Sequence, residues 1–275
     1  MSAIFESVHY TYPSNVHALK GVSLEFRPGE LVALMGENGS GKTTLLKHVN
    51  GLLKPVKGRV IVEGVETKTA SVAQLSQIAG LVFQNAEDMF FESTVFDEVA
   101  FALRNFGYSE DVVRKRVEWA LKFFELDTYA NQSPFLLSGG EKKRLAMAII
   151  MAWSPRIICL DEPTIGQDSL QKEKMKHMIK MLNTQGRTVL LATHDVEFVA
   201  ELRPRVILLS KGEVVADGRC EEILTDEVVV KKASILMPQL VYAFKRLKDL
   251  GFESRVLDVD EAVKQVLKVL RHEPV

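Results

Sequence analysis

The fold is decided by the stretch LVALMGENGSGKT, residues 31–43, in which an apolar run leads directly into Gly36-Glu37-Asn38-Gly39-Ser40-Gly41-Lys42-Thr43. This octapeptide fills the pattern G-x-x-x-x-G-K-[ST]. Its glycines let the backbone curl so that successive N–H groups point inward at phosphate oxygens. The helix predicted from Gly41 onward adds the positive end of its dipole. We therefore expect a strand, a phosphate-binding loop and a helix, in that order.

The side chains of this loop suit a nucleotide with a bound metal ion. Lys42 would reach the β- and γ-phosphates, and the Thr43 hydroxyl would complete a Mg²⁺ coordination sphere. The alternative is a glycine-rich turn that carries a lysine by accident. The predicted strand before the loop and the predicted helix after it favour the nucleotide.

A second apolar strand, predicted over 156–160, ends in the acidic residues Asp161 and Glu162. An unpaired buried carboxylate is costly, so Asp161 needs a partner, and Mg²⁺ bridging the nucleotide phosphates supplies one. Glu162, one residue further on, could polarise the attacking water. An Asp-Glu pair on its own would usually cap a helix. Here the phosphate loop upstream and Pro163-Thr164 downstream favour the metal-binding interpretation.

The segment Leu137-Ser138-Gly139-Gly140-Glu141 opens another predicted helix. Taken alone, Ser138 is an N-cap and the two glycines form a flexible turn. A helix N-terminus is also a second place where backbone N–H groups can hold a phosphate. Two phosphate-binding elements in one chain suggest that the second serves the nucleotide of another subunit.

Strands and helices alternate along the rest of the chain, which predicts an α/β fold with a mostly parallel sheet covered on both faces. Asp168 is placed to cap the helix after Glu162. The predicted strands cover 3–8, 22–26, 31–35, 59–63, 80–83, 156–160 and 188–193, with a hairpin at 206–209 and 213–216. One predicted helix begins at residue 41, and the others lie within 97–126, 141–153 and 169–182.

The pattern changes at about residue 230. We expect one large domain over 1–229, with a helical subdomain at about 90–150, and an appendage over 230–275. Pro238 precedes an amphipathic segment that includes Leu240, Phe244 and Leu247. A short strand is predicted at 255–257 and a final helix at 262–270.

The composition excludes several other classes of protein. Of the 275 residues, 47% are apolar and 26% are charged, which argues against disorder. The net charge of −1 argues against nucleic-acid binding through a broad basic surface. Cys159 and Cys220 are too few for a disulfide framework and fit a reducing compartment. With no run of about 20 apolar residues and no signal peptide, the sequence predicts a soluble intracellular protein.

Together and in this order, the motifs resemble the nucleotide-binding subunit of ATP-binding cassette (ABC) proteins over residues 4–224. Walker A is GENGSGKTT (36–44), and the signature is LSGGE (137–141). Walker B with the catalytic glutamate is IICLDE (157–162), and the switch histidine lies in THD (193–195). Gln84 in LVFQN matches the Q-loop, and Tyr12 matches the aromatic residue that stacks on adenine. The D-loop position holds Ile165-Gly166-Gln167-Asp168, where many relatives have a small or apolar residue instead of Gln167.

The resemblance implies a P-loop NTPase fold with a mixed, mostly parallel sheet. It also implies an antiparallel N-terminal β-subdomain, a helical signature subdomain and a small C-terminal α/β appendage. The implied enzyme is an ATPase in which Glu162, His194, Gln84 and Lys42 act in catalysis, and in which Thr43, Gln84 and Asp161 bind Mg²⁺. The implied contacts to ATP are Tyr12, Gly36, Glu37, Asn38, Gly39, Ser40, Gly41, Lys42, Thr43, Thr44 and Asp168, and across a head-to-tail dimer Ser138, Gly139 and Gly140 of the other subunit.

Three of these residues also have plainer interpretations. Tyr12 could be an ordinary edge aromatic, Gln84 a solvated loop residue and His194 a structural histidine with satisfied hydrogen bonds.

Within the family, residues 80–107, residues 8–26 and the tail at 238–251 resemble the energy-coupling-factor (ECF) type, which drives micronutrient uptake. Relatives commonly carry glutamine where this chain has Met89. The resemblance implies a second ATPase, identical or similar, together with a membrane coupling protein and a substrate-binding membrane subunit, at the cytoplasmic face of the membrane. Phe90, Phe91 and the 85–95 loop would form the groove for a coupling helix, unless they are ordinary core residues. Vitamins, cobalt and nickel are all open as the solute.

The competing class is an ABC ATPase that acts on DNA or the ribosome instead of driving transport. Repair clamps need long coiled coils, and no sustained heptad occurs in this sequence. Translation factors usually carry two cassettes, and this chain has one. A catalytically inactive binding module is disfavoured because Lys42, Asp161, Glu162 and His194 are all present.

Overall fold

The computed structural model describes residues 2–253 and 255–270. They form two β-sheets with helices around them. The strands are β1 (Ala3–Thr11), β2 (His17–Phe26), β3 (Leu31–Met35), β4 (Lys57–Val62), β5 (Val65–Glu66), β6 (Ala79–Val82), β7 (Ile157–Asp161), β8 (Thr188–Ala192), β9 (Arg205–Ser210) and β10 (Glu213–Arg219). Each strand predicted from the sequence before residue 230 is present, several of them longer than predicted.

The smaller sheet is antiparallel and has the order β2-β1-β4-β5. In the second half of β2, buried Val22, Leu24 and Phe26 alternate with more exposed residues. This alternation is typical of an antiparallel sheet that has one covered face. The predicted antiparallel N-terminal subdomain is therefore confirmed.

The larger sheet has the order β10-β9-β3-β8-β7-β6. All neighbouring pairs are parallel except the β9–β10 hairpin. Alternate residues of β3 belong to different apolar clusters: Ala33 and Met35 pack with the cluster that includes the helical region, and Val32 and Leu34 pack toward the smaller sheet. Because both faces are covered, the central strands are apolar throughout. The prediction of a mixed, mostly parallel sheet is confirmed.

The helices lie between and after these strands. They are α1 (Lys42–Val49), α2 (Val72–Ile78), α3 (Val95–Asn105), α4 (Glu110–Phe123), α5 (Gly139–Trp153), α6 (Ser169–Thr184), α7 (Val196–Leu202), α8 (Cys220–Ile223), α9 (Glu227–Lys232), α10 (Gln239–Arg246) and α11 (Val259–Leu270). Single 3₁₀ turns occur at Ala86–Met89, Asp127–Tyr129, Pro134–Leu136 and Lys248–Leu250.

Several elements differ from the sequence-based expectation, and β5, α7, α8 and α9 have no predicted counterpart. The helical stretch expected within 97–126 is two helices, α3 and α4, because Gly107 takes a left-handed φ of 81° between them. The helix α2 is also absent from the prediction, although Ser71 and Gln74 form a capping box at its start. The Ser-x-x-Gln pattern is itself a recognised helix-start signal.

The C-terminal segment is helical in its described part. The predicted strand at 255–257 is wrong, since these residues have no regular secondary structure. Their apolar side chains are buried by packing: Val256 lies in a small cluster with Phe244 and Ala262, and Leu257 joins the larger core. Arg203, at the end of α7, pairs with Asp258 at 2.7 Å and with Glu261, and so attaches α11 to the main domain. The boundary at 229/230 stays a prediction, and α9 crosses it.

Among the described residues, no helix is both long enough and apolar enough to cross a bilayer. Cys159 in β7 and Cys220 at the start of α8 are buried free thiols.

Candidate active site

The glycine-rich loop lies between β3 and α1, as predicted. Gly36 has a φ of 146°, and a Cβ placed on it would lie 2.1 Å from the carbonyl oxygen of Leu209. No larger residue fits here, because the loop passes directly against β9. The first turn of α1 has no side-chain cap, so its backbone N–H groups remain available to an anion.

Lys42 lies across the loop that it follows. Its Nζ donates to the carbonyl oxygens of Gly36 at 2.8 Å and Glu37 at 3.0 Å. Burial lowers the pKa of Lys42, and the nearby carboxylates of Glu162 and Asp161 oppose that effect. A phosphate at this place would provide the charged partner that two neutral carbonyls do not.

Thr43 and Asp161 are joined by a hydrogen bond of 3.1 Å from Thr43 Oγ1 to Asp161 Oδ1. Asp161 ends β7 and is 3% exposed, and burial raises the pKa of its carboxyl group. Hydroxyl and carboxylate oxygens are the ligands that Mg²⁺ prefers. The structure therefore brings together two of the three residues predicted to bind the metal.

Glu162 is held on several sides. Its Oε1 lies 2.9 Å from His194 Nδ1, and its Oε2 accepts hydrogen bonds from Thr193 Oγ1 at 3.2 Å and from the His194 backbone N–H at 3.4 Å. Thr193 and His194 directly follow β8, the neighbour of β7. Because the carboxyl ends of parallel strands meet at one edge of the sheet, β7 and β8 bring these residues together. Glu162 has a left-handed φ of 48°, a strained conformation of the kind that clusters at functional sites.

Two residues that touch Glu162, Thr193 and Lys143, have no role of their own in the sequence-based prediction. Thr193 enters it only as the first residue of the THD motif. Lys143, on α5, donates from Nζ to the carbonyl oxygens of Glu162 and Ile165, both at 2.9 Å. Burial lowers the pKa of Lys143 to about 8. Its position one turn before buried Met147 was the available signal, since a lysine on the apolar face of a helix needs a special partner.

The remaining loop residues line the same edge. Tyr12 is half-buried, and its hydroxyl lies 3.1 Å from Thr44 Oγ1. The Tyr12 ring packs edge-on against Tyr10, with centroids 5.0 Å apart. Asn38 and Gly39 are exposed at the tip of the loop. Ser40 is 1% exposed, and its Oγ has no partner among the described residues, so the loop holds a buried polar atom that a ligand could satisfy.

The other predicted residues have different contacts. Gln84 is exposed two residues after the end of β6. Ser138 caps α5 in a capping box with Glu141, and nothing lies within 4 Å of a Cβ placed on Gly139 or Gly140. The Asp168 carboxylate accepts a hydrogen bond of 2.8 Å from the Gln171 backbone N–H and caps α6, as expected.

Comparison with known proteins also points to an ABC ATPase. A model of the family described as ABC transporter matches residues 19–165. A putative ABC transporter ATP-binding protein of Pyrococcus furiosus is 48% identical over 236 residues, which are 86% of this chain and 90% of the relative. The energy-coupling factor transporter ATP-binding protein EcfA of Methanothermobacter thermautotrophicus is 40% identical over 264 residues, 95% of this chain and 85% of that protein.

Two solved structures are similar in fold. The cbiO1 protein of Clostridium perfringens, described as part of the ABC transporter complex cbiONQ, has a TM-score of 0.73 and 32% identity, covering 90% of this chain and 97% of that one. A dimeric ATP-binding cassette in a post-hydrolysis state, bound to ADP and Pi, has a TM-score of 0.73 and 34% identity, covering 79% of this chain and 98% of that one. The chain therefore belongs to the ABC transporter family, as an ATPase subunit with that family's P-loop fold.

Proposed function

We propose that this chain is the energy-coupling ATPase of an ECF-type importer, which drives uptake of a vitamin or a transition-metal ion through membrane partner subunits. The observation that carries the proposal is the buried Glu162 carboxylate, held by Thr193 and His194 beside the Thr43–Asp161 pair. The printed names of the relatives, an energy-coupling factor ATP-binding protein and a component of a cbiONQ complex, support the importer type.

The loop and its neighbours fit ATP with Mg²⁺. Thr43, Asp161 and Gln84 would hold the ion, which neutralises charge developing on the phosphate oxygens when it is bound. Lys42 and the amides of residues 36–44 would hold the phosphates, and the unpartnered Ser40 hydroxyl fits a phosphate oxygen. Tyr12, whose hydroxyl lies beside Thr44, would stack on the adenine.

Glu162 serves as the general base in this proposal. It accepts the proton of the water that attacks the γ-phosphorus, while His194 and Thr193 hold its carboxylate in place. His194 and Gln84 contact the γ-phosphate and the attacking water. Hydrogen bonds from the residues after β8 orient the base before the substrate arrives, which favours the reaction because the geometry is already set.

A head-to-tail dimer completes the nucleotide site. Ser138, Gly139 and Gly140 lie at an open surface. Among the described residues, no hydrogen bond joins them to the phosphate-binding loop of their own chain. These three residues would cover the ATP of the partner subunit, and Asp168 would be a further contact to ATP. The dimeric form of the ADP-bound relative supports this arrangement.

Membrane partners would attach at the loop after Gln84. Phe91 is 59% exposed and packs edge-on against exposed Phe101, with ring centroids 4.5 Å apart. Phe90 is instead buried in the main core, so of the two phenylalanines only Phe91 offers a surface to a partner. In this proposal the chain is bound peripherally at the cytoplasmic face of the membrane.

The variant Glu162→Gln tests the catalytic part of the proposal. It should retain ATP binding while Mg²⁺-dependent hydrolysis falls by about a hundredfold or more, since general-base catalysis is lost. Glu118→Gln, on the exposed face of α4, is the matched control and should hydrolyse ATP at the wild-type rate. Wild-type turnover by Glu162→Gln would remove Glu162 from the mechanism.

Purification in detergent tests the transport part. The wild-type chain should copurify from membranes with an integral membrane protein, and Phe91→Asp should lose that partner while keeping its ATPase activity. Association with ribosomes or DNA, with no membrane partner, would favour the non-transport class.

A further inference from the structure

Two adjacent lysines near the start of α5 reach in different directions. Lys142 Nζ lies 2.5 Å from Glu87 Oε1, in the 3₁₀ turn that follows Gln84. Lys143 Nζ donates to the carbonyl oxygens of Glu162 and Ile165, each at 2.9 Å. The helix that Ser138 caps is thus joined, through Lys143, to the turn that carries Glu162.

Packing alone does not account for Lys143. The residue is 6% exposed, and burying an ammonium group is costly even when its donors are satisfied. Its two hydrogen-bond acceptors are neutral carbonyls, and the nearby carboxylates of Glu162 and Asp161 offset the cost of burial only in part. The neighbouring buried positions of α5 hold Leu145 and Met147, and an apolar residue of that kind would fill the space at lower cost.

Glu162 is fixed by two different elements of the fold. Its carboxylate is held by the residues after β8, through Thr193 Oγ1 at 3.2 Å and His194 Nδ1 at 2.9 Å. Its carbonyl oxygen is held from α5, by Lys143. Removing the Lys143 ammonium group would free the Glu162 carbonyl oxygen from α5. The carboxylate contacts would stay in place, as would the 2.8 Å hydrogen bond from the Glu162 backbone N–H to the Ala192 carbonyl oxygen.

We infer that Lys143 is a positioning residue, which holds the Glu162–Ile165 turn against α5 and makes the placement of the Glu162 carboxylate depend on where α5 lies. The inference rests on the proposed function, in which Glu162 is the general base and Ser138 at the start of α5 contacts the ATP of the partner subunit. A movement of α5 on closure of the dimer is passed by Lys143 to the backbone of Glu162. Lys143 itself touches neither nucleotide nor water.

Three variants separate this role from general stability. Lys143→Met keeps the length and apolar body of the side chain and removes its donors. Lys143→Gln restores an N–H donor on a shorter side chain. Lys176→Met is the matched control, because Lys176 is a similarly buried lysine, 9% exposed, on α6 of the same core, and its partners Glu173 and Glu201 lie outside the site.

The kinetic result expected is a change in kcat without a change in ATP binding. Lys143→Met should lower kcat by about tenfold or more, because small displacements of a catalytic group are costly. Its ATP dissociation constant, measured by calorimetry, should stay within about twofold of wild type, a split that marks a lost transition-state interaction. Lys143→Gln should recover part of kcat, and Lys176→Met should keep all of it. Wild-type kcat in Lys143→Met, or an equal loss of kcat in Lys176→Met, would overturn the inference.

A second readout does not require the wild-type chain to hydrolyse ATP. In the turn, the Ile165 N–H donates to Glu162 O at 3.4 Å and the Gln167 N–H to Thr164 O at 3.1 Å. Hydrogen exchange at these amides should quicken by about tenfold or more in Lys143→Met, while the amides of β7 stay protected. Unchanged exchange in the turn would contradict the positioning role whatever the activity of the wild type. An inactive wild type with faster exchange would contradict only the proposed function.

Discussion

The Oε1 atom of Glu162 lies 2.9 Å from Nδ1 of His194, and Oε2 of the same carboxylate accepts a hydrogen bond from Thr193. Two consecutive residues that follow β8 therefore hold one carboxylate that follows β7. Parallel strands that are direct neighbours make this possible, because their ends lie side by side.

The first prediction separates the two donors to Glu162. His194→Ala should lower turnover by about tenfold to a hundredfold while the fold keeps its stability, since the His194 side chain is half-exposed and its loss leaves the Thr193 bond in place. Thr193→Val should in addition lower the free energy of unfolding by about 1–3 kcal/mol, because Thr193 is fully buried and its hydroxyl bonds both Glu162 and the Asp195 backbone N–H. ATPase assays and urea denaturation check the pair. Equal stability loss in both variants would contradict it.

The second prediction concerns the dimer. Ser138→Arg should leave ATP binding by the monomer within about twofold of wild type and block the ATP-dependent dimer, since Ser138 bonds only within its own helix in the described chain and faces open space. Size-exclusion chromatography with ATP, in a Glu162→Gln background, measures the dimer. A monomer of Ser138→Arg that no longer binds ATP would place Ser138 in the site of its own chain.

The third prediction compares two glycines of the same loop. Gly36→Ala should lower the free energy of unfolding by about 3–5 kcal/mol, because its Cβ would lie 2.1 Å from the Leu209 carbonyl oxygen. A Cβ at Gly39 would meet no atom within 4 Å. Gly39→Ala should therefore lower the free energy of unfolding by only about 1–2 kcal/mol, the cost of placing a non-glycine residue at a left-handed φ of 81°. Denaturant unfolding without nucleotide measures both. Similar losses would show that the contact with β9 is not the cause.

The fourth prediction concerns pH. Glu98 is 2% exposed, accepts from the backbone N–H groups of Phe91 at 2.9 Å and Glu92 at 2.8 Å, and has its pKa raised by burial. A carboxyl group with a raised pKa contributes stability that is present below its unfolded pKa and is lost as the pH rises through the folded pKa. The amide oxygen of a glutamine at this position would accept the same bonds without a charge.

Glu98→Gln should therefore be at least as stable as wild type at neutral pH. As the pH falls toward the ordinary pKa of glutamate, the free energy of unfolding of wild type should rise relative to that of the variant. Urea denaturation across that range measures the difference, with Glu118→Gln on the exposed face of α4 as the control. A Glu98→Gln variant that is clearly weaker than wild type at neutral pH would mean that the ionised carboxylate stabilises the loop.

The sequence predicted the parts of the site that depend on local pattern. Leu31–Met35 and the loop after it lie where the pattern places them, because glycine spacing and an apolar run are local signals. Asp161 was predicted from the cost of leaving a buried carboxylate without a partner, and it is buried and bonded to Thr43. The fold class followed from alternating strands and helices.

What the sequence did not predict depends on distant contacts. Lys143 and Glu162 are 19 positions apart, and only the tertiary fold brings α5 and the turn after β7 together. The prediction of a strand at 255–257 is wrong because side-chain packing buries the apolar residues there, Val256 against Phe244 and Leu257 in the larger core. The described residues offer no neighbouring strand for them to join. The contacts of Ser138 with nucleotide stay a prediction, since a second chain would have to supply the ATP.

The two buried thiols should react slowly in the folded chain. Burial raises the pKa of Cys159 well above its ordinary value and that of Cys220 to about 12, and the thiolate is the form that reacts with alkylating agents. The folded chain should therefore resist maleimides at neutral pH. Alkylation at Cys159 would report opening of the central sheet, and alkylation at Cys220 would report release of α8. A cysteine introduced at any exposed position could then be labelled selectively, with both native thiols left in place.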